Sequence, residues 1–128
     1  MNKESGYSFF DTNVLLEALV QGRSQQSRAR QYLDTHQTVV SPLSAHLIVH
    51  FGQRDGLTLD FLMTLLLKYK FTDFGSREIT WAVRNCQGDD FEDALQVACA
   101  VCSGSQFFVT LDKKLAKRYQ HVIPMQIL

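Results

Sequence analysis

Short apolar runs alternate with longer stretches of helical period along this chain. An aromatic-rich run at residues 7–10 stops at Asp11 and predicts a buried strand. Residues 14–20 read as a helix ended by Gly22, and residues 23–35 as a second, with Ala29 and Leu33 one turn apart. Residues 37–40 predict a short strand. Ser41-Pro42 is a helix start, the serine as N-cap and the proline at the first helical position. Leu43, Leu47 and Phe51 then recur every four residues and give one apolar face up to Gly52. Residues 58–69 predict a leucine-rich helix, 70–74 a strand and 76–85 another helix. Asp89 or Asp90 caps a helix that runs to near Ser103. Residues 106–110 predict a strand, 113–119 a short helix and 122–128 a last strand, with Pro124 in or beside it.

Strands separated by helices imply parallel pairing, because parallel neighbours need a crossover and a helix supplies it. The expected fold is therefore α/β: a three-layer α/β/α sandwich around a central, mainly parallel sheet, formed as one domain over residues 1–128. Residues 42–69 predict an insertion of paired helices packed on one side. The composition agrees, since 45% of the 128 residues are hydrophobic and 20% charged, which excludes a disordered tail. Thirteen basic and thirteen acidic residues cancel, so bulk positive charge cannot drive coating of nucleic acid. Three cysteines are an odd number and argue against a disulfide framework. Residues 1–5 are polar and do not resemble an export signal, and no apolar run approaches the roughly 18 residues of a membrane span. A cytoplasmic location without membrane contact is expected.

Ligands of open α/β sheets sit beyond the carboxyl ends of the strands. Asp11 follows the first strand directly, and Asp112 comes two residues after the strand that ends at Thr110. Asp93 lies in the first turn of the helix preceding that strand. Carboxylates gathered within a few ångströms repel, and a divalent cation removes the conflict. Oxygen ligands suit Mg²⁺ or Mn²⁺, and phosphodiester hydrolysis is the reaction class that fits. Each acid also has a plainer reading. Asp11 and Asp112 each precede a helix they could cap, and Asp89, Asp90, Glu92 and Asp93 crowd a helix N-terminus where the macrodipole favours negative charge.

Three segments resemble a known family. Phe9-Phe10-Asp11-Thr12-Asn13-Val14-Leu15-Leu16 is similar to the opening of PIN domains, small metal-dependent nucleases that include the VapC-like toxin ribonucleases of bacterial toxin–antitoxin pairs. Asp90-Phe91-Glu92-Asp93-Ala94-Leu95 resembles the helix that carries their third acid. Phe108-Val109-Thr110-Leu111-Asp112-Lys113 resembles the segment of the fourth. The resemblance covers essentially the whole chain. It implies that Asp11, Asp93 and Asp112 are catalytic and hold Mg²⁺ or Mn²⁺ for hydrolysis of RNA. It further implies that Asn13 and Thr110 hydrogen-bond the carboxylates and that Asp90 and Glu92 add acidity nearby, Asp90 as a further candidate ligand. Members of the family often form homodimers, and the toxins bind a cognate antitoxin protein that blocks the acidic groove.

One departure stands out. The family's second acid is usually a glutamate in the helix after the second strand, and Ser44-Ala45-His46-Leu47-Ile48-Val49-His50 contains none. By register His46 takes that place. Either its imidazole substitutes as a ligand, or the site is weakened and the chain is a PIN-like module that binds RNA or a protein partner. Glu17 compensates only if its side chain turns back to the groove. His46 and His50 share a helical face but lack the glutamate of a zinc-protease pattern. Cys99 and Cys102 have a Cys-x-x-Cys spacing inside an apolar helix, where packing is the expected role. Lys113, Lys114, Lys117 and Arg118 gather beside Asp112 and predict contacts to nucleic-acid phosphates, while Arg23, Arg28 and Arg30 form a second basic group. Aromatic residues at 59–69 suit a dimer contact. A phosphatase using Asp11 as nucleophile ranks lower, because Asn13 stands where many such enzymes carry a second aspartate.

Overall fold

Neighbouring residues of the central strands point into two different cores, and that alternation sets the architecture. The computed structural model describes residues 6–21, 24–88 and 90–128. The first half runs β1 (Ser8–Phe10), α1 (Thr12–Leu16), a π-helical turn at Glu17–Gln21, α2 (Gln26–Thr35), β2 (Thr38–Val40), α3 (Pro42–Arg54) and α4 (Leu59–Leu66). The second half runs β3 (Lys70–Phe71), α5 (Ser76–Asn85), α6 (Phe91–Cys102), β4 (Phe107–Thr110), α7 (Lys113–Tyr119) and β5 (Met125–Ile127). The five strands pair in the order β3-β2-β1-β4-β5, every pair parallel.

Successive side chains of a strand face opposite sides of its sheet. Phe9, Val39 and Phe108 accordingly enter one core with Ala82, Val97, Leu115 and Tyr119 from α5, α6 and α7. Phe10, Val40 and Val109 enter the other with Val14, Leu33, Ile48 and Leu62 from α1 to α4. Helices therefore cover both faces and the sandwich has three layers. The paired helices α3 and α4 lie together on the second face. They approach closely at Gly52, where a Cβ would fall 2.6 Å from a Leu62 methyl.

Element bounds differ from the sequence pattern where a local group decides them. The first helix begins at Thr12, capped by Asp11, and passes into the π-helical turn after Leu16. Its predicted stop at Gly22 and the next start at Arg23 lie outside the described residues. β3 keeps two residues of the predicted five, although Thr72 N–H still reaches the Val40 carbonyl at 2.8 Å. β5 starts only after Pro124, which has no N–H to give but accepts from Phe108 N–H at 2.9 Å. Thr58 caps α4 through Phe61 N–H. β1 lies at the centre of the sheet, with β2 and β4 on either side. The chain order reverses between β1 and β4, the point at which open α/β sheets form a crevice.

Candidate functional site

Asp11 closes that crevice from below. Its backbone N–H donates to Val109 O at 2.9 Å, so the end of β1 is tied to β4. Its Oδ1 accepts from Thr12 N–H at 2.8 Å and its Oδ2 from the Thr110 hydroxyl at 2.9 Å and Asn13 Nδ2 at 3.1 Å. Asn13 also uses Oδ1 to accept from Leu111 N–H at 3.1 Å. The cap expected of Asp11 and its candidate role in the site thus coexist in one side chain. Asp112 is a cap too: its Oδ1 accepts from Lys114 and Leu115 N–H, and its own N–H donates to Thr110 Oγ1 at 2.9 Å.

Asp11, Asp93 and Asp112 line one cavity of about 380 Å³, together with Glu92, Asn13 and His46. Leu16, Leu43, Leu47 and Leu95 supply an apolar wall. Asp11 is buried, and that burial pushes its carboxyl up to about 6, the hydrogen bonds from Thr110 and Thr12 opposing the rise and Asp93 and Asp112 adding to it. Partial burial, then Asp112 and Asp90, also raise Asp93, with Arg118 working the other way. The three acids feel one another across the cavity. Among the described residues, no group of three or more His, Cys, Asp or Glu side chains is arranged to hold a metal ion as it stands. The donor set itself, hard carboxylate oxygens gathered where burial and neighbouring acids oppose their charge, fits a hard cation that relieves the repulsion and keeps water in its shell, the usual habit of Mg²⁺.

Two of the neighbouring residues are occupied elsewhere. Asp90 is buried and does not line the cavity: its Oδ1 accepts from Gln87 N–H at 2.6 Å, and its Oδ2 from Arg118 Nη1 at 2.8 Å and the Tyr119 hydroxyl at 2.6 Å. It neither caps α6 through its side chain nor turns toward the other acids. Burial would raise its carboxyl, but Tyr119, Gln87 and Arg118 together hold it below the usual range. Arg118 is accordingly an internal partner, bridging Asp90 and, at 3.8 Å, Asp93 Oδ2. Lys113, Lys114 and Lys117 remain exposed on α7 beside Asp112.

His46 is exposed on α3 at the cavity, whereas Glu17 is buried with Oε2 accepting from Gln25 N–H at 3.1 Å and does not line it. Arg28 and Arg30 are exposed on α2, away from the cavity lining, and Arg23 and Asp89 lie outside the described residues. Cys99 packs in the first core, where burial pushes its thiol up to about 11, and Cys86, Cys99 and Cys102 are all free. The sequence pattern does not single out Gln96. This buried amide lines the cavity three residues after Asp93 and hydrogen-bonds Thr12, Ser41 and Ser44. Its one signal in the sequence is a lone glutamine amid Leu95, Val97, Ala98 and Cys99.

No curated protein sequence matches the chain. The crystal structure of VapBC2 from Rickettsia felis, bound to a DNA fragment from their promoter, includes a chain of similar fold: TM-score 0.64 and 13% identity, over 95% of this chain and 98% of that one. In the described residues, no helix is long and apolar enough to cross a membrane. The PIN domain family matches residues 8–120, a span that holds Asp11, Asp93 and Asp112 and all but the last strand of the sheet, and the chain belongs to that family.

Proposed function

We propose that this protein is a metal-dependent endoribonuclease that hydrolyses RNA phosphodiester bonds with Mg²⁺ or Mn²⁺, and that it is the toxin of a toxin–antitoxin pair. The observation that carries the proposal is the buried Asp11 carboxyl, pushed up to about 6 at the floor of a cavity that Asp93 and Asp112 share. Asp11, Asp93 and Asp112 are the residues that would hold the cation. When bound, it supplies neutralisation of charge on the phosphoryl oxygens. The chain's own groups do the rest. Thr12, Asn13 and Thr110 hold Asp11 in one orientation, so that its oxygens need no reorganisation when a cation arrives. Half-exposed Asp93 is steadied by Arg118. Lys113, Lys114 and Lys117 offer cationic groups to phosphates flanking the scissile bond. His46, with no hydrogen bond to another described residue, stands at the rim where the family's second acid belongs and presents an imidazole to cation or substrate.

Further partners belong to the same proposal. A VapBC complex among the similar folds supports a cognate antitoxin that covers the acidic cavity. Homodimerisation is supported by Leu59, Phe61 and Leu67, left exposed on and beside α4, and sedimentation at micromolar concentration tests it. The proposed location is cytoplasmic. The test of activity is RNA cleavage with Mg²⁺ or Mn²⁺ by the protein and by Asp11→Asn: cleavage should require the metal and vanish in the variant. Cleavage that survives the substitution refutes the assignment. Specific binding of RNA or a protein partner without cleavage or Mn²⁺ binding by calorimetry favours the alternative, a PIN module weakened by loss of its second acid.

A further inference from the structure

The amide of Gln96 is 7% exposed in a helix whose other buried residues are alanine, valine and cysteine. An amide in such surroundings is unfavourable unless its hydrogen bonds are made. Here they are made across three helices at once. Gln96 Nε2 donates to Thr12 Oγ1 at 2.8 Å and lies 3.2 Å from Ser44 Oγ, while its Oε1 accepts from the Ser41 hydroxyl at 2.9 Å. Thr12 and Ser44 are themselves 2.7 Å apart. Thr12 follows Asp11 at the start of α1, Ser44 precedes His46 by two residues in α3, and Gln96 follows Asp93 by three in α6, on the same helical face. The three elements that carry Asp11, His46 and Asp93 are thus joined to one side chain.

We infer that Gln96 is a positioning residue: by hydrogen-bonding Thr12, Ser41 and Ser44 together, it sets the separation of α1, α3 and α6 at which Asp11 and Asp93 act on one cation. The inference rests on the cation site proposed above. Gln96 does not act on substrate; it acts through the helices it ties. An apolar residue of the same length fills the space but leaves the hydroxyls of Thr12, Ser41 and Ser44 to pair among themselves. The first turn of α6 is then free to move relative to α1, and Asp93 with it.

The test compares the wild type with Gln96→Met and, as a second route to the same bond, Thr12→Val, which leaves Gln96 in place. Crystal structures without added metal read the position of Asp93 relative to Asp11. A displacement on the order of 1 Å in either variant supports the inference, and unchanged positions in both overturn it. Calorimetric titration with Mn²⁺ should show affinity weakened by roughly 10- to 100-fold, the range for partners that orient metal ligands. Equal Mn²⁺ affinity in folded variants and wild type also overturns it. If the wild type binds no Mn²⁺, the cation site fails by itself, and the crystallographic comparison still decides whether Gln96 sets the geometry.

Discussion

Replacing Asp11 by asparagine should make the metal-free protein more stable near neutral pH while removing its proposed activity. The carboxyl ionises at about 6 in the folded protein against an ordinary 3.8, because burial and the nearby acids oppose its charge. Below 3.8 the group is protonated folded or unfolded and contributes no difference. As pH rises toward 6 the unfolded chain ionises freely while the folded one resists, so stability falls, and above 6 the deficit stays constant. With 1.36 kcal/mol for each pH unit between the two values, the deficit is about 3 kcal/mol. The asparagine amide meets the Thr110 hydroxyl less well than a carboxylate does, and an imperfect hydrogen bond takes back about 1 kcal/mol. The net gain expected for Asp11→Asn at pH 8 is therefore about 2 kcal/mol. Urea unfolding of both proteins with a chelator present, from pH 4 to pH 8, measures it. A variant no more stable at pH 8, or one whose gain is the same at pH 4, refutes the electrostatic account. Mn²⁺ should reverse the ranking, since a ligand at 100 times its Kd stabilises the wild type by about 2.7 kcal/mol.

Arg118→Ala should destabilise by about 2 kcal/mol at neutral pH in thermal or urea unfolding, below the full value for a buried pair because Arg118 is partly exposed. Asp90 has its carboxyl held below the ordinary value, so its contribution is present above that value and lost as pH falls through the folded one. The Arg118→Ala penalty should therefore shrink in acid. Gly52→Ala places a methyl against fully buried Leu62 and should destabilise by about 1 kcal/mol in urea unfolding, overpacking outweighing the better helix propensity of alanine. Removing Lys113, Lys114 and Lys117 together should weaken RNA binding and flatten its salt dependence, by about 0.7 in the logarithmic slope for each phosphate no longer neutralised, read by fluorescence anisotropy.

What the sequence disclosed followed the range of the interactions concerned. Strands came through because Phe9, Phe10, Val39 and Val40 form short apolar runs bounded by polar residues, and the parallel order follows from the helices between them. Asp11 and Asp112 were legible because each follows a strand within two residues and caps the next helix, a local signature. The same logic makes Asp90 a cap, but partners 28 and 29 residues away, Arg118 and Tyr119, turn its carboxylate inward. That distant pairing also changes Arg118 from a surface cation into an internal one. Gln96 stayed hidden because nothing in its own helix shows that Thr12, Ser41 and Ser44 converge on it. β3 is shorter than the predicted residues 70–74, whose Lys70, Thr72 and Asp73 break any apolar run, and it pairs with β2 alone.

The central position of β1 has a consequence for synthesis. β1 is flanked on one side by β4, and the Asp11 carboxylate takes its Thr110 hydrogen bond from 99 residues further on. A nascent chain therefore holds Asp11 long before the wall opposite exists. Pairings so distant in sequence close late and slowly. A chain interrupted before residue 107 lacks that wall altogether, and with it Asp112, so such a fragment cannot assemble the cavity.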